Sequence, residues 1–194
     1  LKPGHRFLDI GAGAGRHCYE AARRGAHVVA LDYDADALPE VHAMLGAMVE
    51  VGEAPANVAC LVIRGDALKL PFPDASFDLV TIAFGLRNVT DKDMALREML
   101  RVLRPGGQAR VLEYSEVQAE WFKPIYDFDS CKVLPKLGKL FAGDADSYQY
   151  LAESIRKHPP QEQLKAMMEA AGFARCEYKI LTGGIVAAHT GYRI

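Results

Sequence analysis

The sequence predicts a single α/β domain built on a doubly wound parallel sheet. Its 194 residues suit one domain better than two. Strand and helix signals alternate over the first two thirds of the chain, and the short strands are apolar on both faces, as in a buried parallel sheet. Near the C-terminus two strand signals are joined only by Thr182-Gly183-Gly184, and so short a connection allows only an antiparallel pair.

Each element of the alternating part has boundary residues that the sequence supplies. The first five strands are apolar runs, predicted at 6–10, 27–32, 58–64, 77–84 and 109–114. The helices between them end at glycine or Pro-Gly stop signals, and they are predicted at 16–24, 34–51 and 90–103. Asp34 is predicted to cap the second helix, and Thr90 or Asp91 the third, because short polar side chains accept from free helix N–H groups.

The chain is predicted to divide into three parts. Residues 1–114 form the predicted cofactor-binding part, and 115–158 a helical insertion with no strand signal. The insertion holds seven aromatic residues between 121 and 150 and four lysines between 123 and 139. This composition suits a lid over a flat ring or a surface that contacts a membrane. The alternative is that these helices simply pack on the sheet. Residues 159–194 hold a last helix at 161–171 and the closing strands at 176–181 and 185–192.

Composition excludes several classes of protein. The 23 basic and 25 acidic residues give a net charge of −2, which disfavours a nucleic-acid binder. No apolar run approaches the ~18 residues that a membrane span needs. The four cysteines are far apart, so neither a zinc ribbon nor a disulfide framework is expected, and a reducing, cytoplasmic setting is the default. His5 and His158 have no metal-ligand partner at useful spacing, and no metal is predicted.

A glycine-rich turn follows the first strand and opens the first helix. Gly11, Gly13 and Gly15 permit positive φ and close approach of a ligand to the backbone, beside the positive end of a helix. Asp32 ends the second strand, where a carboxylate can accept hydrogen bonds from both ribose hydroxyls. The pattern therefore predicts an adenosine-type ligand at the carboxyl ends of the strands.

Two ligand classes compete for this turn. A dinucleotide fingerprint reads GxGxxG, whereas Arg16 follows the last glycine here and the spacing is GxGxG. No second nucleotide-binding half follows strand five, so S-adenosylmethionine, which needs no pyrophosphate site, fits better. Asp66, just after strand three, could accept from the adenine amino group while Ala67 offers its backbone N–H. The alternative is that Asp66 only caps its own turn.

The chain resembles class I S-adenosylmethionine-dependent methyltransferases in its LDIGAGAG loop, its GDA turn and its LPFPDASFD and RVLRPGG segments. FGLRNVTDKD and DADSYQYLAESI are similar to the ubiquinone/menaquinone biosynthesis C-methyltransferase family. The resemblance implies a Rossmann-like sheet with a C-terminal antiparallel hairpin and S-adenosyl-L-methionine as cofactor. The predicted cofactor-binding residues are Asp9, Gly11, Gly13, Ala14, Gly15, Asp32, Tyr33, Asp66, Ala67 and Ala83.

The resemblance also implies methyl transfer to a ring carbon of a polyprenylated benzoquinol or naphthoquinol. Arg87 and Asn88 then lie on the acceptor side, where Arg87 holds a developing phenolate or acts through a water. Alternatively, Arg87 pairs with Asp91 or Asp93. Asp144 and Tyr148 are further catalytic candidates, or equally a helix cap and a core contact. The expected partners are a lipid-soluble quinol, the inner-membrane surface, and a second copy or a biosynthetic complex.

Two departures from the family pattern keep other functions open. Ala14 stands where the family usually has Thr, and Arg16 where an acidic residue is usual, so a contact to the cofactor's methionine end is absent or replaced. The chain starts at Leu1, just ahead of the first strand, so helices that precede this strand in the family are expected to be missing. The alternatives are a methyltransferase for another small molecule and a non-catalytic cofactor-binding subunit; a nicotinamide-dependent enzyme is disfavoured.

Overall fold

A computed structural model describes residues 1–115 and 145–194, with side chains omitted at 145–148 and 152. The described elements run in the order β1 (Arg6–Ile10), α1 (Arg16–Arg23), β2 (His27–Asp32), α2 (Leu38–Glu50), β3 (Cys60–Arg64), β4 (Phe77–Ala83), a 3-10 turn (Leu86–Asn88), α3 (Lys92–Val102), β5 (Leu103–Tyr114), α4 (Ala145–Lys157), α5 (Gln161–Ala171), β6 (Ala174–Leu181), a second 3-10 turn (Thr182–Gly184) and β7 (Val186–Tyr192).

The seven described strands form one sheet in the order β3-β2-β1-β4-β5-β7-β6. β1 is central and parallel to both neighbours, with Leu8 opposite Val29 of β2 and Val80 of β4. β7 runs antiparallel between β5 and β6, and Glu113 of β5 lies opposite Ala187. The predicted doubly wound sheet with a closing antiparallel pair is confirmed.

Helices cover both faces of the sheet. Because side chains alternate along a strand, Phe7 and Leu8 of β1 enter different cores. Phe7 packs with residues of α1 and α2, such as Cys18 and Leu45. Leu8 packs in the larger cluster, which holds residues of α3 and α5. Burial on both faces explains why the parallel strands read as continuous apolar runs.

Several predicted boundaries are wrong, and a local hydrogen bond explains the later start of α2. Asp34 does not cap α2, which begins four residues later at Leu38. Its Oδ1 instead accepts from the backbone N–H of Asp36 at 3.0 Å, which closes a turn before the helix. Asp91, rather than Thr90, caps α3, and it accepts from the N–H of Met94 at 2.8 Å.

Strand β5 starts earlier than predicted, at Leu103 instead of residue 109. The helix before it ends at Val102, and the Pro105-Gly106-Gly107 segment is carried within the strand. A register shift absorbs this segment, because Phe77 pairs with Leu103 but Leu79 already pairs with Gln108. Smaller shifts occur elsewhere, since β3 starts at residue 60 and β6 at residue 174.

The last third of the chain follows the prediction where it is described. α5 ends at Gly172, whose φ of 105° is the left-handed conformation of a helix stop. The predicted insertion lies largely outside the described residues, apart from α4, and the three-part division of the chain stays a prediction. Within the described ranges, no helix is both long enough and apolar enough to cross a bilayer.

Replacing Asp91 by alanine removes the side-chain acceptor at the start of α3. We expect Asp91→Ala to lower the free energy of unfolding by about 1 kcal/mol, as measured by urea denaturation. Asp93→Ala is the matched control, because this exposed acid of the first turn is not the capping residue, and loss of its interaction with the helix dipole should cost about 0.3 kcal/mol. Equal losses in the two variants would contradict the capping role of Asp91.

Candidate functional site

A cavity of about 580 Å³ opens at the carboxyl ends of β1, β2 and β4. Its volume lies within the range of small-molecule binding sites. Parallel pairing brings these strand ends to one edge of the sheet, so residues far apart in sequence meet there. Of the predicted residues, the cavity wall includes Gly11, Asp32, Tyr33, Asp66, Ala67, Ala83 and Asn88.

The glycine turn after β1 has the backbone that the sequence predicts. Gly11, Gly13 and Gly15 all have positive φ, at 66°, 49° and 72°. At Gly15 a Cβ atom would also lie 2.9 Å from Cε of Met44, so the turn packs directly on α2. Gly13, Ala14 and Gly15 do not border the cavity, and their contact with a cofactor stays a prediction.

Asp32 connects the end of β2 to the glycine turn. Its Oδ2 accepts from the N–H of Gly13 at 2.8 Å, and its Oδ1 from the N–H of Asp34 at 3.0 Å. A carboxylate oxygen accepts about two hydrogen bonds, so each Asp32 oxygen keeps one acceptor position at the cavity wall. Asp32 therefore orders the turn and can still accept from a pair of ligand hydroxyls.

Asp66 caps its own turn and also borders the cavity, and its contact with adenine stays a prediction. Its Oδ1 accepts from the N–H of Leu68 at 2.9 Å, which is the predicted turn-capping bond. The residue is nevertheless exposed at the cavity wall next to Ala67. Tyr33 lies on the same wall with its ring 69 % exposed, and the Arg64 guanidinium stands 5.7 Å from that ring.

Asp9 lies behind the glycine turn rather than at the cavity. It is buried, its Oδ1 accepts from Thr81 Oγ1 at 2.5 Å, and its Oδ2 lies 3.6 Å from both Cys18 Sγ and His17 Nδ1. Burial, reinforced by the charge of Asp9, raises the pKa of the Cys18 thiol. Cys18 is thus a packed neutral thiol, and direct contact of Asp9 with a cofactor stays a prediction.

The Leu86–Asn88 turn reaches the cavity wall through Asn88. Phe84 precedes it with a φ of 53°, a conformation that non-glycine residues rarely adopt. Asn88 borders the cavity, and its Oδ1 accepts a hydrogen bond of 3.1 Å from the Tyr150 hydroxyl of α4. Helix α4 therefore packs over the turn that carries the predicted acceptor-side residues.

Arg87 is held inside this turn by partners that the sequence did not suggest. Its Nη1 lies 3.4 Å from Glu113 Oε2 and also donates to the carbonyl of Phe84. The guanidinium stands 5.3 Å from the centre of the Tyr114 ring. The alternative in which Arg87 pairs with Asp91 or Asp93 is wrong, because Glu113 is its partner. Within the described part of the chain, Nε of Arg87 has no hydrogen-bond partner.

Sequence reasoning missed Glu113, counted Tyr150 only among the aromatic residues of the insertion, and considered His158 only as a metal ligand. The signal for Glu113 was an acidic residue near the end of the apolar strand ARVLEY, where a solvent-exposed position is not expected. His158 is buried, and neither ring nitrogen has a hydrogen-bond partner among the described residues. Burial, assisted by the charge of Lys92, lowers the pKa of His158 to about 4, so its ring is neutral near pH 7.

Two predicted catalytic candidates cannot be placed at the site. Asp144 lies outside the described residues, and Tyr148 is described only as backbone of α4. Both stay predictions. In the ranges that the structure describes, no group of three or more His, Cys, Asp or Glu side chains is arranged to hold a metal ion.

Solved structures share this fold at low sequence identity. A SAM-dependent methyltransferase from Aquifex aeolicus has a TM-score of 0.68 at 17% identity, over 100% of this chain and 85% of that one. A phosphoethanolamine N-methyltransferase from Haemonchus contortus, in complex with S-adenosyl-L-methionine, has a TM-score of 0.70 at 16% identity, over 100% of this chain and 49% of that one. The fold is that of the S-adenosylmethionine-dependent methyltransferases.

Sequence comparison identifies the family within this fold. A curated relative from Xanthomonas oryzae is 61% identical over 199 residues, and one from Stenotrophomonas maltophilia is 59% identical over 202 residues. Each match covers 100% of this chain and 76% of the relative, and both are named ubiquinone/menaquinone biosynthesis C-methyltransferase UbiE. Residues 1–193 match the ubiE/COQ5 methyltransferase family. The chain belongs to this family, which confirms the resemblance and the methyltransferase assignment.

The neutral, buried ring of His158 predicts an acid-sensitive fold. The folded-state pKa of about 4 lies below the ordinary value of 6.5, so as pH falls through this window the unfolded chain takes up the proton first. Protonation of His158 in the unfolded chain should therefore make the free energy of unfolding about 2 kcal/mol lower at pH 5 than at pH 7. His158→Gln should remove that part of the pH dependence in urea denaturation, whereas His42→Gln, at an exposed position of α2, should leave it unchanged. An unaltered pH dependence in His158→Gln would contradict the assignment.

Proposed function

We propose that this chain methylates a ring carbon of a polyprenylated benzoquinol or naphthoquinol, with S-adenosyl-L-methionine as the methyl donor. The observation that carries the proposal is the shared cavity, whose lining includes Asp32, Asp66 and Asn88. The family supports the reaction class, and the names of the relatives support the quinol. The sulfonium methyl of the bound cofactor is already activated, so the protein's task is to position and to stabilise charge.

The cavity wall fits an adenosine-type cofactor without a pyrophosphate. At Gly11, which borders the cavity, an added Cβ atom would meet nothing within 4 Å, so a ligand can lie directly on this backbone. Asp32 would bind the ribose hydroxyls with its two remaining acceptor positions. Asp66 and the N–H of Ala67 would bind the adenine, with Tyr33 and Ala83 completing the wall. The glycine turn would face the methionine end, where Ala14 offers no side-chain hydroxyl.

The acceptor would lie against the Leu86–Asn88 turn. A ring carbon becomes nucleophilic when a neighbouring phenol loses its proton, and a nearby cation favours the phenolate. Arg87 would provide its guanidinium as this cation, directly or through a water. Asn88, fixed by Tyr150, would orient the ring from the cavity wall. Asp144 and Tyr148 remain candidates for the same side.

Exposed apolar side chains support a lipid-soluble acceptor. Phe84 is at the cavity wall and 37 % exposed, and Tyr150 of α4 is 58 % exposed. A prenyl tail leaving the cavity would meet these rings, which favours work at the surface of the inner membrane from the cytoplasmic side. A homodimer or a biosynthetic complex would place the enzyme where its quinol substrate is made.

The cofactor assignment is tested by calorimetry with S-adenosyl-L-methionine. Asp32→Ala removes both ribose acceptors and the bond to Gly13, so we expect the dissociation constant to rise about 10- to 100-fold. Asp36→Ala is the control, because this nearby exposed acid does not border the cavity. An unchanged affinity in Asp32→Ala would exclude the proposed ribose site.

The acceptor assignment is tested by mass spectrometry of methylated products. We expect the protein to methylate demethylmenaquinol or a demethyl ubiquinol precursor in preference to soluble phenols, amines or sterols. Product on soluble amines without product on any quinol would reject the proposal in favour of another small-molecule acceptor. Cofactor binding without transfer to any acceptor would instead indicate a non-catalytic subunit.

A further inference from the structure

The carboxylate of Glu113 is buried beside the cavity without bordering it. The residue is near the end of β5, with 0 % of its surface exposed. Oε1 accepts from the backbone N–H of Arg87 at 3.1 Å, and Oε2 from the N–H of Tyr114 at 3.2 Å. Arg87 Nη1 lies 3.4 Å from Oε2, so one carboxylate holds both the backbone and the guanidinium of Arg87.

Stability alone does not explain a buried charge at this position. A buried ion pair is often no more stabilising than apolar side chains of similar volume, because both charges lose their hydration. The same desolvation raises the pKa of the Glu113 carboxyl, opposed by the hydrogen bonds and charge of Arg87. The distinctive effect of the pair is geometric, because it fixes one side chain and one turn relative to β5.

The Glu113–Arg87 pair controls the part of the wall where the acceptor would lie. Phe84 and Asn88, on either side of Arg87 in sequence, both border the cavity. Arg87 Nη1 also donates to the carbonyl of Phe84, and the guanidinium faces the Tyr114 ring. Nε is buried and has no hydrogen-bond partner among the described residues. The Glu113 carboxylate, the Phe84 carbonyl and the Tyr114 ring thus each contact the guanidinium.

Glu113 itself is not placed to take a proton from a substrate. Both of its oxygens accept from protein N–H groups, and the residue does not border the cavity. Any effect on the reaction therefore passes through Arg87 and the Leu86–Asn88 turn. This excludes Glu113 as a general base that acts directly on the acceptor.

We propose that Glu113 is a positioning residue for methyl transfer, which orients Arg87 and anchors the Leu86–Asn88 turn on the acceptor side. The inference rests on the proposed function in one respect, namely that an acceptor lies against this turn. In this proposal Glu113, which lies on β5 outside the cavity wall, determines the rate of methyl transfer rather than the affinity for the cofactor.

The kinetic test compares Glu113→Gln with Asp78→Asn. Asp78 is a matched control, because it also accepts from a backbone N–H, that of Arg6, and from an arginine, Arg104, but at the start of β4 away from the cavity. We expect Glu113→Gln to lower kcat about tenfold or more, while the acceptor KM and the cofactor Kd change less than about twofold. Asp78→Asn should retain kcat within about twofold. Equal effects of the two variants would overturn the proposal.

A double-mutant cycle with Arg87→Lys tests whether Glu113 acts through Arg87. Lysine keeps the charge but not the planar guanidinium that Glu113 and Tyr114 hold. In the Arg87→Lys background, Glu113→Gln should therefore lower kcat by less than about twofold. The same tenfold loss in both backgrounds would show independent action and overturn the proposal. If Glu113→Gln does not fold, Glu113→Asp decides instead, and a wild-type kcat in that variant would overturn the proposal.

The two proposals fail separately in this experiment. The cycle is run with whichever acceptor the unaltered protein methylates. If that acceptor is not a quinol, the proposed function fails while the role of Glu113 is still measured. If a quinol is methylated and Glu113→Gln keeps wild-type kcat, only the positioning role fails. If the unaltered protein methylates no acceptor, both are overturned.

Discussion

The parallel pairing of β1 with β2 and with β4 is the constraint on which the site depends. It brings the chain after Ile10, Asp32 and Ala83 to one edge of the sheet, and the cavity lies there. The hydrogen bond from Gly13 to Asp32 then connects two of these strand ends. A carboxylate at that point both orders the turn and faces the cavity, so the fold and the binding site depend on the same atoms.

Glu113 is a buried carboxylate whose place relative to the cavity differs from that of Asp32. Asp32 borders the cavity and can bind a ligand, whereas Glu113 lies behind the wall and fixes Arg87. Both carboxylates accept backbone N–H groups from a loop that follows another strand. Asp32 thus holds a loop from within the cavity wall, whereas Glu113 holds a loop from behind it.

The sequence predicted the features that depend on local chemistry and periodicity. The positive φ of the glycine turn, the place of Asp32 at the end of β2, the Asp91 cap and the closing antiparallel pair are confirmed, because each follows from backbone conformation, periodicity or connection length. Asp34 does not cap α2, because an Asx turn competes for the same side chain. The Glu113–Arg87 pair spans 26 positions, so neither periodicity nor spacing could reveal it. Three-dimensional packing alone brings such residues together.

The position of β7 in the sheet has a consequence for synthesis of the chain. β7 pairs with β5 on one side and with β6, at the sheet edge, on the other. Both β5 and β6 are synthesised before β7. While the chain emerges from the ribosome, β5 and β6 therefore both present unpaired backbone groups. Once Val186–Tyr192 is synthesised, this one strand can pair with both β5 and β6. Until then the nascent chain exposes strand edges that chaperones recognise and that other chains could join.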